Sequence, residues 1–178
     1  MSCPLQCPYL QDARKYEKTP ARGIEQMPNR DIRVPEELLD ENRELLEELS
    51  RALVTAALGT PGAVDGDLRD ALAALIRTQR TLQSGIYYES LPDNPLAAKI
   101  FRAVAERASE FRQRETSRLG LTTTRDTDLL GLLVFFERMA LNSDNGRPRG
   151  RAFVDLLRSL QPEPPLEHSG GSPLVLPG

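Results

Sequence analysis

The spacing of apolar residues between Pro35 and Leu160 constrains this chain more than any other feature of its sequence. Leucine, alanine, valine and phenylalanine recur at intervals of three and four residues, and stretches rich in glycine, proline and asparagine interrupt them. This spacing is typical of amphipathic helices, whereas a half-buried strand alternates apolar and polar residues with a period of two. No segment reads as a strand. The sequence therefore predicts an all-α fold.

The interruptions predict four main helices and a short fifth. Pro35 suits the first turn of a helix, Asn94 followed by Pro95 is a typical helix start, and Gly120 is a typical helix end. GTPG at 59–62 ends the first helix, and SDNGRPRGR forms the loop before the last one. The predicted helices cover 35–58, about 67–89, 95–119, 124 or 126 to 141, and 151–160.

Three helices carry more specific expectations. The fourth helix, DTDLLGLLVFFERMAL, is the most apolar and should be central, and Gly131 inside it allows close approach of another backbone. The second helix should bury one stripe formed by Leu68, Leu72, Leu75, Leu82 and Ile86. The fifth should turn inward Phe153, Leu156, Leu157 and Leu160.

The connections are short, which favours antiparallel neighbours and an up-and-down bundle. Residues 1–34 and 162–178 are rich in proline and lack sustained apolar periodicity. We therefore predict three parts: a disordered or extended N-terminal arm at 1–34, a helical bundle domain at 35–161, and a Pro/Gly-rich tail at 162–178.

Net charge limits the classes of partner. The chain carries a formal charge of -3 and a pI near 5.4, so its overall field does not attract nucleic acid or anionic membranes, and any such binding needs a local basic patch. No apolar run of about 18 residues indicates a membrane span, and the N-terminus lacks a signal-peptide pattern. We expect a cytoplasmic protein that does not contact membranes.

Cys3 and Cys7 are the only cysteines. A structural zinc needs four ligands, and the single His168 lies far away in the tail. A disulfide is disfavoured in a reducing cytoplasm. Two readings remain: a pair of exposed reduced thiols, or half of a zinc site that a second chain or residues missing from this sequence would complete.

A resemblance strengthens the zinc hypothesis. CPLQCPYLQDAR resembles the end of a cysteine-rich N-terminal module in a group of uncharacterised bacterial proteins, with the pattern C-P-x-D-C-x-Y-L-x-x-A-R. TLQSGIYYE (81–89) and GRPRGRAFVDLLR (146–158) look like two further stretches of that family, whose cysteine module precedes a helical domain. Gln6 departs from the usual acidic residue. The positions that match are Cys3, Pro4, Cys7, Tyr9, Leu10, Ala13 and Arg14.

The family's upstream cysteine pairs are absent here. Either this member has lost the rest of its metal site, or Met1 is an internal methionine mistaken for the start, and we favour the second explanation. The resemblance implies that Cys3 and Cys7 are thiolate ligands of a structural zinc and that Tyr9 and Leu10 pack the metal module onto the bundle. It implies no activity.

Two further stretches are candidate contact surfaces. Tyr87, Tyr88 and Glu89 could bind a peptide or a small polar ligand; the alternative, which we favour, is that one tyrosine packs inward and its hydroxyl reaches a helix end or a loop. The loop residues Arg147, Arg149 and Arg151 could hold phosphates through their guanidinium groups. The alternative is a solvated loop, or one that pairs with the acidic first helix.

Common catalytic signatures are missing from the sequence. There is no Glu-x-x-His pair for a di-iron centre, no phosphate-binding loop, and a single histidine for acid-base chemistry. The sequence favours a non-enzymatic interaction or scaffold protein that binds a protein partner or itself. Two alternatives stay open: a nucleic-acid-associated protein that uses the arginine loop and the metal module, and an enzyme that uses Glu89 or Glu137 as acid or base.

Overall fold

The computed structural model describes residues 27–86 and 88–161. Within these residues the regular structure is entirely helical, which confirms the all-α prediction. The six helices of the described part of the chain are α1 (Glu36–Glu41), α2 (Arg43–Leu58), α3 (Asp65–Gln83), α4 (Pro95–Leu119), α5 (Asp126–Asn142) and α6 (Ala152–Ser159).

The predicted first helix is broken in two at Asn42. This residue has φ -110° and ψ 29°, and its Nδ2 donates a hydrogen bond to the carbonyl of Leu38 at 3.0 Å. The break separates α1, which packs on α5, from α2, which packs on α4 and α6. The apolar spacing continues across Asn42, so periodicity alone did not predict the break.

Leu38 of α1 lies against Gly131 of α5. A Cβ atom built on Gly131 would be 2.5 Å from Cδ2 of Leu38, which is closer than real Cβ contacts allow. The sequence predicted a close approach at this glycine by another backbone. The neighbour is instead a leucine side chain, which uses the space that a Cβ atom would fill.

Both ends of α4 agree with the prediction. Oδ1 of Asn94 accepts the N–H of Leu96 at 2.9 Å, Pro95 is the first helical residue, and Gly120 ends the helix with φ 75°.

The end of α3 differs from the prediction of a helix to Glu89. It ends at Gln83, because Gly85 has φ 80° and turns the chain out of the helix.

The long-range contacts of α3 and α4 show that these two helices run in the same direction. Asn94, at the start of α4, donates a hydrogen bond to Asp67 in the first turn of α3. Near the other ends, Asp126 of α5 accepts from Gln79 of α3 and pairs with Arg112 of α4. An up-and-down order would reverse consecutive helices, so the arrangement differs from that prediction at this pair.

The remaining main helices run opposite to this pair. Nζ of Lys99 near the start of α4 donates to the carbonyl of Gly59 at the end of α2, and Arg114 in the second half of α4 pairs with Glu48 in the first half of α2. The most extensive packing therefore joins helices that are two apart in the chain, α2 with α4 and α3 with α5.

α5 is buried along most of its length, and α6 packs on α2 and α3. In α6 the buried residues are Phe153, Val154 and Leu157, whereas Leu156 and Leu160 are 37% and 61% exposed. The prediction was thus right for Phe153 and Leu157 and wrong for Leu156 and Leu160, because the inward stripe of this short helix passes through Val154.

Residues 27–34 lie against α3 and α5. Asn29 has a positive φ of 54°; its Nδ2 donates to Oε2 of Glu137 at 2.7 Å, and its Oδ1 accepts from Nη2 of Arg80 at 2.9 Å. Arg138 donates to the carbonyl of Asn29 at 2.8 Å. The described end of the predicted N-terminal arm is therefore attached to the helical body by Asn29, by Asp31, which pairs with Arg80, and by the carbonyl of Ile32, which accepts from Arg138 at 2.9 Å.

Candidate functional site

A cavity of about 740 Å³ lies between α2, α3, α4 and α5. Pockets of about 300–1,000 Å³ with mostly apolar walls are typical sites for small ligands and anchoring side chains. The parallel pair α3 and α4 forms two of the walls. The buried apolar residues of the lining include Leu49, Leu75, Phe101, Val104, Ala108, Leu129 and Leu133.

Polar groups line the cavity near the second half of α4. Nη1 of Arg112 lies 2.8 Å from Oδ1 of Asp126, and its Nη2 donates to the carbonyl of Thr124 at 3.1 Å. Nε2 of Gln79, a residue only 8% exposed, donates to the same Asp126 carboxylate at 3.3 Å. This network fixes the directions of Arg112 and Gln79 at the cavity wall.

Glu115 holds the connection between α4 and α5. Its carboxylate accepts the N–H of Thr124 at 3.1 Å and the hydroxyl of Thr123. Burial opposes ionisation of Glu115, but the hydrogen bonds from Thr123 and Thr124 outweigh it and lower its pKa below the ordinary value. The connection is therefore anchored, and Thr122 reaches the cavity lining.

The connection between α3 and α4 places Glu89 at the cavity. Oγ1 of Thr81 donates to the carbonyl of Tyr88 at 3.0 Å, and the N–H of Ser90 donates to Oγ1 of Thr78 at 2.9 Å. These two bonds hold the chain on either side of Glu89, which lines the cavity with an exposed carboxylate. Tyr88 is 65% exposed, and Tyr87 lies outside the described residues.

Exposed apolar side chains occur in the two connections that reach the cavity. In the described part of the chain, eight large hydrophobic residues are exposed, and five of them lie in or next to the two connections that reach the cavity. The other three are Leu58, Leu156 and Leu160. The prediction that Ile86 is buried is wrong, because the chain has left α3 before this residue and the side chain is 64% exposed. The five are Ile86, Tyr88, Leu91, Leu119 and Leu121.

The arginine loop lies at the opposite end of α3. Oδ2 of Asp65, at the start of α3, accepts the N–H of Phe153 just beyond the loop, and Asp65 donates its own N–H to the carbonyl of Gly150. Asp65 and Gln79 are separated by about 21 Å along the helix axis, at 1.5 Å per residue. The fold therefore does not bring Arg147, Arg149 and Arg151 together with Glu89.

All three loop arginines are exposed. Within 27–86 and 88–161, Arg149 and Arg151 make no side-chain ion pair, so the expected pairing of this loop with the acidic first helix is not observed for them. The acidic residues Glu44 and Glu48 of α2 pair instead with Arg118 and Arg114 of α4.

The proposed zinc ligands Cys3 and Cys7, and also His168, lie outside the described residues. Among the residues that the structure describes, no group of three or more histidine, cysteine, aspartate or glutamate side chains is arranged to hold a metal ion. The zinc hypothesis stays a prediction from the sequence.

The two carboxylates considered for an enzyme lie in different environments. Glu137 is 6% exposed, and burial raises its pKa, against the effects of the Asn29 hydrogen bond and of Arg138. It is not part of the cavity lining, whereas Glu89 lines the cavity but is exposed. The buried carboxylate of Glu137 therefore has no access to the cavity, and the residue that does line the cavity, Glu89, is exposed to water.

Sequence reasoning did not identify Gln79, Arg112 and Asp126 as site residues. Gln79 carried a usable signal, because it follows Leu75 by four residues and precedes Leu82 by three, and so places an amide on the buried stripe of α3. Arg112 and Asp126 belong to different helices, and only the fold brings them together.

Comparison with known proteins identifies no relative of this chain. No protein-family model, no curated protein and no solved structure matches this chain. Within the described residues, no helix has both the length and the apolar character needed to span a membrane.

Proposed function

We propose that this protein is a non-enzymatic interaction protein whose cavity receives an apolar anchor from a protein partner. The observation that carries the proposal is the cavity of about 740 Å³, with buried leucine, valine and phenylalanine walls and a small number of hydrogen-bonded polar groups. Such a combination is typical of binding sites, because the apolar walls supply affinity and the polar groups supply orientation.

The exposed apolar residues of the two connections support a protein as the partner. Ile86, Tyr88 and Leu91 belong to the chain segment that carries Glu89 to the cavity, and Leu119 and Leu121 flank the segment that carries Thr122 to it. A small ligand inside the cavity would leave these residues in water. A protein partner would cover them around a central anchor, which is the usual arrangement of an interface with a buried core.

Filling the cavity tests this function. Ala105 lines the cavity, whereas Ala103, two residues earlier on the same helix, does not. We expect Nile red, a neutral apolar dye, to bind the wild-type protein with increased fluorescence. Ala105→Phe should abolish binding and Ala103→Phe should retain it, with unchanged helical circular dichroism in both. Equal binding to the two variants would mean that the dye binds elsewhere, and the proposal would be wrong.

We further propose that the protein acts in the cytoplasm and that Cys3 and Cys7 are two ligands of a structural zinc site completed by further cysteines. The proposal rests on the sequence pattern of the N-terminal segment and on its resemblance to the bacterial family with a cysteine-rich module. A closed site of four cysteines would stabilise structure and leave no open position for catalysis.

The arginine loop is a second candidate contact surface. The supporting observation is that Arg149 and Arg151 are exposed and make no ion pair in the described part of the chain. If the loop binds nucleic acid, Arg149→Ala should weaken binding to a single-stranded RNA or DNA at low salt, and the affinity should fall steeply with added salt. Absence of any binding at low salt would remove this function.

A further inference from the structure

We propose that the anchor received by this cavity carries a basic side chain next to its apolar residues. This inference rests on the proposed function, because it specifies the chemistry of the partner at the same site. It follows from the charges and hydrogen-bond acceptors of the lining, which favour a positively charged donor over a carboxylate or phosphate.

The two charged residues of the lining are not equivalent. Arg112 is neutralised by Asp126 at 2.8 Å and also donates to the carbonyl of Thr124. Glu89 forms no ion pair and no side-chain hydrogen bond with any described residue, and its carboxylate is exposed at the cavity. The charge that is left for a partner to neutralise is therefore negative.

Gln79 adds a second acceptor inside the cavity wall. Its Nε2 is directed at the Asp126 carboxylate, which fixes the amide orientation because the opposite orientation would place Oε1 against the negative charge. Oε1 accepts no hydrogen bond within the described part of the chain. Because Gln79 lines the cavity, this oxygen is an acceptor with which an N–H donor of a partner can pair.

The test uses three probes with the same ten-carbon chain: decylammonium, decanol and decanoate. Each is titrated below its micelle concentration against protein loaded with Nile red, and its affinity is measured by displacement of the dye. We expect decylammonium to bind at least about tenfold more tightly than decanoate, equivalent to about 1.4 kcal/mol. This preference should decrease with added sodium chloride, since the carboxylate of Glu89 is exposed.

Two matched variants identify the origin of the preference. Glu89→Gln should reduce the ratio of the two affinities to near unity and leave the affinity for decanol unchanged. Asp93→Asn removes an exposed carboxylate from the same connection, but Asp93 does not line the cavity, so the ratio should stay as in the wild type.

The outcomes separate this inference from the function on which it rests. If Nile red binds the cavity but decylammonium binds no more tightly than decanoate, the basic anchor is wrong and the apolar cavity stands. A preference that survives Glu89→Gln would also overturn the assignment. If Nile red does not bind the wild-type protein, the proposed function itself fails.

Discussion

The carboxylate of Asp65 binds the backbone of Phe153 across 88 residues of chain. Its Oδ2 accepts the N–H of Phe153 at 2.9 Å, and its Oδ1 accepts the N–H of Val154 at 3.2 Å. The first turn of α3 thereby supplies the N-terminal cap of α6, a helix that has no side-chain cap from its own N-cap residue, Arg151. The same contact closes the arginine loop.

We expect Asp65→Ala to destabilise the protein by about 1–3 kcal/mol, because two buried N–H groups would lose their acceptor. The free energy of unfolding in urea measures this loss. The control is Asp70→Ala on the same helix, where an exposed aspartate without a described partner should change stability by less than about 0.5 kcal/mol. Equal effects of the two substitutions would contradict the capping role.

Glu137 should make stability depend on pH in the acidic range. Burial raises its pKa in the folded state, so folding favours the protonated form. The sign follows from linkage: this group contributes stability below its unfolded pKa, and the contribution is lost as pH rises through the raised folded pKa. Asp65, whose pKa burial also raises, acts in the same direction, whereas Asp31 and Glu115, whose pKa values are lowered, act in the opposite direction.

Glu137→Gln tests this titration, because glutamine keeps an oxygen for Asn29 and cannot ionise. We expect stability at neutral pH to be unchanged or up to about 1 kcal/mol higher, with a smaller loss between acidic and neutral pH than in the wild type. Urea unfolding at several pH values measures both effects, and Glu47→Gln on an exposed site is the control. A large loss of stability at neutral pH would mean that pairing with Arg80 and Arg138 outweighs burial.

The local signals at helix ends were the most informative part of the sequence. Asn94, Pro95 and Gly120 have the predicted roles, because a cap depends on a few adjacent residues. Asn42 and Gly85 were missed, since asparagine is tolerated within helices and the apolar pattern extends past both positions. Local sequence was also insufficient to predict that α3 and α4 run parallel.

That parallel arrangement depends on the eleven residues 84–94, which return along α3. A connection of this length can either reverse the direction of the next helix or bring the chain back to the starting end, and its composition does not distinguish the two. The cavity and the meeting of Gln79, Arg112 and Asp126 follow from this choice. For this reason the sequence predicts the helices but does not predict the candidate site.

Gly131→Ala should have an effect that depends on Leu38. Alanine favours the helical state by up to about 1 kcal/mol over glycine, but here its Cβ displaces the side chain of Leu38. We therefore expect a small net change in the wild-type background. In a Leu38→Ala background the same substitution should stabilise by about 0.5–1 kcal/mol. Urea unfolding of the four proteins gives the coupling energy, and a coupling near zero would mean that the two side chains do not share this space.

The zinc content of the protein tests the prediction from the sequence that Cys3 and Cys7 are zinc ligands. If Cys3 and Cys7 form half of a four-cysteine site, two chains together would bind one zinc ion. Elemental analysis of protein purified without chelator should then give about one zinc per two chains, and Cys3→Ser/Cys7→Ser should remove it. The mass in solution should correspond to a dimer and fall to a monomer after chelation, because the metal would join the chains. Absence of zinc from the wild-type protein would mean that these two cysteines do not form a metal site by themselves.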